Sequence, residues 1–126
     1  MPNFPNSQNA KYSEWRLFFE TWIHQILSSS EIVLIGNSLG GCFLLKYLGE
    51  NPSLSFVEKI KNIHLIASCM SAGDFSLPEN YDFLQKLGNR VHIWHSEDDD
   101  VVPFSIGQRL SEILPEAEAH FFDSKK

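Results

Sequence analysis

The stretch Ile32-Val33-Leu34-Ile35-Gly36-Asn37-Ser38-Leu39-Gly40-Gly41 decides the fold. Its first four residues are an apolar, mostly β-branched run bounded by Glu31 and Gly36, without polar alternation. That pattern predicts a short strand buried on both faces, and such strands belong to parallel sheets. From Leu39 to Leu48 nearly every side is small or apolar, which predicts an enclosed helix that Gly49 and Pro52 stop. Gly36, Ser38 and Gly40 fall at the junction with the spacing G-x-S-x-G. A serine on so tight a strand-to-helix turn is pushed outward, and glycine is expected at both flanking positions because side chains there would collide. The Leu39 N–H would then point where an oxyanion forms, and the following helix N-terminus adds a favourable dipole.

Working outward, Trp15, Phe18, Phe19, Trp22, Ile23, Ile26 and Leu27 recur at steps of three and one, one apolar stripe on a helix of about five turns. Ser28-Ser29-Ser30 ends it. Further strands are predicted at Ile63–Ala67, Val91–His95 and Ala119–Phe122, with helices over Tyr81–Leu87 and from Ile106 to Leu114. Ser68 to Pro78, rich in Ser, Gly and Pro, is predicted to be a loop, and Met70, Phe75 and Leu77 within it are candidates to line an acyl pocket. Strands alternating with helices, with no internal repeat, predict a single α/β domain over residues 1–126 with a parallel sheet of about four strands and helices on both faces.

Composition narrows the function. Ten Lys and Arg stand against 16 Asp and Glu, a net charge of −6, so neither phosphate backbones nor anionic lipid are attractive partners. No apolar run approaches the ~20 residues that span a bilayer, and the N-terminus lacks signal-peptide blocks, which makes the cytoplasm the expected compartment. Cys42 and Cys69 lie in apolar stretches without metal-ligand spacing and are expected to be reduced packing residues. Phosphate motifs fail in detail. A P-loop needs Lys and Ser or Thr where Cys42 and Phe43 stand, and a dinucleotide fingerprint needs Gly at Ser38.

Three segments carry a resemblance: Met1-Pro2-Asn3-Phe4-Pro5 with Tyr12 and Trp15, the elbow Ile35–Gly41, and Ser96-Glu97-Asp98-Asp99-Asp100-Val101-Val102-Pro103. Together they make the chain resemble the α/β-hydrolase superfamily and, within it, the small serine hydrolases related to retinoblastoma-binding protein nine. The resemblance implies a Ser38 nucleophile and, four residues before Pro103, an acid at Asp99 that orients a histidine. Glu97, Asp98 and Asp100 are expected to form a solvated loop or a weak cation site.

The resemblance also implies a base in a Gly-His pair shortly after the final strand, and a His-Gly segment ahead of Met1 that supplies a second oxyanion donor. Neither pair occurs here, so the chain is expected to be a fragment. His24 falls in the first helix, His64, His92 and His120 in strands, and His95 at a strand end. The functional expectation is a serine hydrolase of carboxylic esters or related small acyl substrates, impaired in this form, with no cofactor, no metal and no assigned protein partner. The alternative is a noncatalytic interaction module that keeps the elbow as architecture.

Overall fold

A computed structural model describes residues 10–26, 31–50, 57–72, 75–77 and 81–123. Helix α1 (Tyr12–Ile26) leads to strand β1 (Ile32–Asn37), helix α2 (Leu39–Glu50) and strand β2 (Ile60–Ile66). A small hairpin, β3 (Ser71–Ala72) with β4 (Phe75–Ser76), precedes helix α3 (Asp82–Lys86) and a 3₁₀ turn at Gly88–Arg90. Strand β5 (Val91–Ser96), helix α4 (Phe104–Ile113) and strand β6 (Glu118–Phe122) follow. The four long strands pair in the order β1-β2-β5-β6, every pair parallel, which is the sheet expected from the sequence.

The core lies between this sheet and the helices. Trp15, Phe19 and Ile23, at four-residue steps on α1, are buried against α2. Phe43 stands at the middle of the aromatic layer, its ring centroid 5.3 Å from that of Phe19, 5.6 Å from Tyr12 and 5.8 Å from Trp15. Inward-facing Leu34, Ile63, Leu65, Val91 and Ile93 complete the core from the sheet side.

Coverage of the sheet departs from the sequence expectation. β1 alternates buried and exposed residues instead of being enclosed on both faces, with Val33 50% and Ile35 48% exposed, and Ile66 on β2 is 39% exposed. Among the described residues, the helices pack on one face only. Topology supplies the reason. Each crossover from one strand to the next runs in the same direction across the sheet, and crossovers of one hand moving one way always lay their helices on the same side. Covering the second face requires the strand order to reverse direction, and these four strands do not.

The stretch predicted as a loop carries the hairpin, where Ser71 pairs with Ser76 and Ala72 with Phe75. Phe75 is fully buried, edge-on to Tyr12 and Trp15, so it belongs to the core and not to an acyl pocket. Met70 and Leu77 pack partly buried against the same core. Among the described residues, no helix is long and apolar enough to cross a membrane.

Candidate active site

Ser38 lies between the end of β1 and the start of α2 with a φ of 54°, a left-handed conformation that costs a non-glycine residue energy. Backbone bonds hold it there. Its N–H donates to the Ile66 carbonyl at 2.9 Å, and its own carbonyl accepts the N–H groups of Gly41 (3.1 Å), Cys42 (3.3 Å) and Cys69 (3.4 Å). The Leu39 N–H, at the first residue of α2, has no backbone partner among the described residues.

The glycines divide differently from expectation. A Cβ added to Gly36 would lie 2.7 Å from Gly40 C and O and from Gly41 Cα, so a side chain there collides with backbone. At Gly40 it would meet nothing within 4 Å, which removes the steric reason expected for that glycine. Gly41 is the second tight position, where a Cβ would come within 2.5 Å of Ser68 Oγ and 2.6 Å of Ser68 Cβ. The helix start is pressed against the loop after β2, a contact between segments far apart in sequence.

Strand register puts Asn37, Ile66 and Trp94 side by side, so Ser38 and the acidic loop after β5 open on the same carboxyl edge. Asp99 is half-buried there, whereas Glu97, Asp98 and Asp100 are exposed. Asp99 Oδ1 accepts the N–H groups of Val101 at 2.9 Å and Val102 at 2.8 Å, which fixes the carboxylate to its own loop. Ser96 Oγ donates to Asp98 Oδ1. Only β2 separates β1 from β5, and two strand spacings amount to about 10 Å. A gap of that order admits one imidazole with a hydrogen bond at each end.

The described histidine side chains are engaged away from Ser38. His95 is 1% exposed, with Nε2 2.8 Å from the Val102 carbonyl and 3.8 Å from Asp99 Oδ2. Its ring packs so closely under α4 that a Cβ on Gly107 would lie 2.7 Å from Nδ1. His64, His92 and His120 lie on the open face of the sheet, where His120 stacks on Trp94 with ring centroids 3.9 Å apart. The His24 side chain falls outside the described residues.

Both cysteines are free. Cys42 is fully buried beside the Phe75 carbonyl, and its hydrogen bond with Cys69, reinforced by burial, pushes its thiol up. The same bond brings the partly exposed Cys69 thiol down to about 7. Its sulfur lies 3.7 Å from the Ser38 carbonyl, so this thiol borders the elbow, a placement that sequence spacing gave no sign of.

A left-handed serine wedged between a parallel strand and a helix, with an acid loop on the same sheet edge two strands away, defines an α/β-hydrolase architecture. The family model described as alpha/beta hydrolase fold matches residues 1–86, and the chain belongs to that family. Solved structures agree on the fold. The ydeN gene product of B. subtilis superposes with a TM-score of 0.77 at 16% identity, over 98% of this chain and 67% of that one. A meta-cleavage product hydrolase from Pseudomonas fluorescens IP01 gives 0.67 at 16% identity, over 96% and 66%. An esterase from Rhodococcus sp. ECU1013 gives 0.63 at 15% identity, over 97% and 66%. The chain thus spans about two thirds of the length of these structures. Among curated proteins, none matches the sequence.

Proposed function

We propose that this chain carries the nucleophile and the acid of a serine hydrolase acting on carboxylic esters or related small acyl compounds. The observation that carries it is Ser38, held at a φ of 54° by backbone bonds from two elements at the mouth of the sheet. Ser38 Oγ attacks the acyl carbonyl, its proton passes to an imidazole, and the Leu39 N–H receives the developing oxyanion. Collapse expels the alcohol with that proton, and water then releases the acid from the acyl-serine. Asp99 orients the imidazole; its loop bonds to Val101 and Val102 keep the carboxylate in one place.

The base is the member that His64, His92, His95 and His120 do not supply, since each is engaged elsewhere. The site formed by the described residues is therefore a poor esterase, because a serine without its histidine loses several orders of magnitude in rate. A fluorophosphonate probe tests this. Slow labelling of Ser38 that free imidazole accelerates, and that Ser38→Ala removes, is the expected result. Absence of Ser38 labelling with and without imidazole would sink the nucleophile assignment and favour the noncatalytic interaction module. Rapid labelling without imidazole would instead place a working base within the chain.

A further inference from the structure

On the open face of the sheet, two paired strands bring three metal-ligating side chains to one point. Register sets Glu118 opposite His92, and the two-residue period of β6 returns His120 to the same face. His92 Nδ1 is 3.2 Å from His120 Nε2 and 3.1 Å from Glu118 Oε2, and His120 Nε2 is 3.7 Å from the same carboxylate oxygen. Ligand atoms bound at about 2.0–2.2 Å around a tetrahedral zinc ion stand about 3.3 Å from one another. The three distances bracket that value.

We propose that His92 Nδ1, His120 Nε2 and Glu118 Oε2 form a site for a divalent transition-metal ion of the Zn²⁺ type, with water in the fourth position. Neighbouring side chains orient these ligands. His92 Nε2 lies 3.3 Å from Asn62 Oδ1, and an N–H there leaves Nδ1 with its lone pair toward the other two ligands. The Trp94 indole stacks on the His120 ring at an interplanar angle of 13°, and its Nε1–H donates to His64 Nδ1 at 3.1 Å, so both rings are held. With His92 Nδ1 and His120 Nε2 both deprotonated, their lone pairs and the Glu118 carboxylate face one point, and a cation there satisfies all three. Two imidazoles and a carboxylate select Zn²⁺, Co²⁺, Ni²⁺ or Cu²⁺ over Mg²⁺ and Ca²⁺. Glu118 is 59% exposed, which leaves water access to the fourth position.

The site is separate from the elbow. His92 is the second residue of β5, four residues or about 13 Å of strand before Ser96 at the carboxyl edge. Its ligands come from β5 and β6, so a bound ion clips the outer strand β6 onto its neighbour. Binding stabilises the fold by mass action.

The test uses the folded 126-residue chain, treated with a chelator and with the accessible Cys69 alkylated so that its thiol cannot compete; Cys42 is fully buried. Calorimetric titration with Zn²⁺ should give one ion per chain, a raised melting temperature, and no effect of Mg²⁺. Co²⁺ should give the visible absorption of a four-coordinate ion and quench the Trp94 fluorescence. Glu118→Gln, which preserves shape, and His120→Ala should each weaken binding at least about tenfold, and Asn62→Ala about tenfold through the lost orientation. His64→Gln should leave stoichiometry intact. A flat Zn²⁺ titration, equal responses to Mg²⁺ and Zn²⁺, or unchanged binding in the double variant Glu118→Gln with His120→Ala would each overturn the site.

Discussion

Alanine at Gly40 and at Gly41, adjacent positions in the first turn of α2, should act in opposite directions. At Gly40 a methyl group meets nothing within 4 Å, so the substitution only removes the conformational freedom of glycine in the unfolded chain and should stabilise by about 0.5–1 kcal/mol. At Gly41 the methyl carbon would sit 2.5 Å from Ser68 Oγ and 2.6 Å from Ser68 Cβ. Ser68 is 1% exposed and its hydroxyl donates to the Cys69 carbonyl, so the side chain has no free space into which to swing. Overpacking of that kind costs about 1–3 kcal/mol, which outweighs the helix gain. Both variants share the glycine gain, so they differ by the overpacking cost; for a domain of this size each kcal/mol moves the midpoint by roughly 4 °C, and the two should separate by about 4–12 °C. Thermal melts and urea titrations measure the difference. Gly41→Ala with Ser68→Gly should recover part of the loss, because the clash involves Ser68 atoms. If Gly40→Ala proved as damaging as Gly41→Ala, or if Ser68→Gly gave no recovery, the account of how the helix start seats would be refuted.

Three further outcomes are expected. Tyr47, whose hydroxyl is pushed up to about 12 by burial and then by its bond to Glu20, keeps its proton in the fold when the unfolded chain begins to lose its own near pH 10. Stability contributed by the neutral phenol should therefore be fully present below about pH 10 and drain away as pH rises toward about 12; Tyr47→Phe should flatten that part of a urea-midpoint profile. Cys69, brought down to about 7 and partly exposed, should be alkylated by iodoacetamide well before the buried Cys42, and peptide mapping that found Cys42 modified first would contradict this. Asp99→Ala should cost about 1–2 kcal/mol by releasing the N–H groups of Val101 and Val102, and Asp99→Asn, which keeps an acceptor oxygen, about half as much in the same denaturation assay.

The sheet was legible in the sequence because its signals are local. Apolar runs at Ile32–Ile35 and Val91–His95 and the stripe through Trp15, Phe19 and Ile23 each announce an element without knowledge of its neighbours. The strand-to-helix turn at Ser38 was equally plain, since its sequence signal is confined to six residues. What stayed hidden depends on contacts between distant segments. The closeness of Gly41 to Ser68 and of Gly107 to His95 is set by packing, and nothing in their spacing reveals it. Val33 and Ile35 carry the apolar character of an enclosed strand, yet composition cannot say which crossovers cover which face. The convergence of His92, Glu118 and His120 needs the register of two strands separated by a helix, a quantity that pattern reading does not give.

The strand order β1-β2-β5-β6 has a consequence for how the chain is made. Each long strand joins the outer edge of those that precede it in sequence, and none must insert between two already paired. A ribosome releasing the chain from its N-terminus therefore presents every new strand to an edge already waiting for it, so assembly can proceed vectorially during synthesis. Of the four strands, β1 and β2 pair first, and the turn between them, whose serine N–H bonds to the Ile66 carbonyl, is set before the acid loop has been translated.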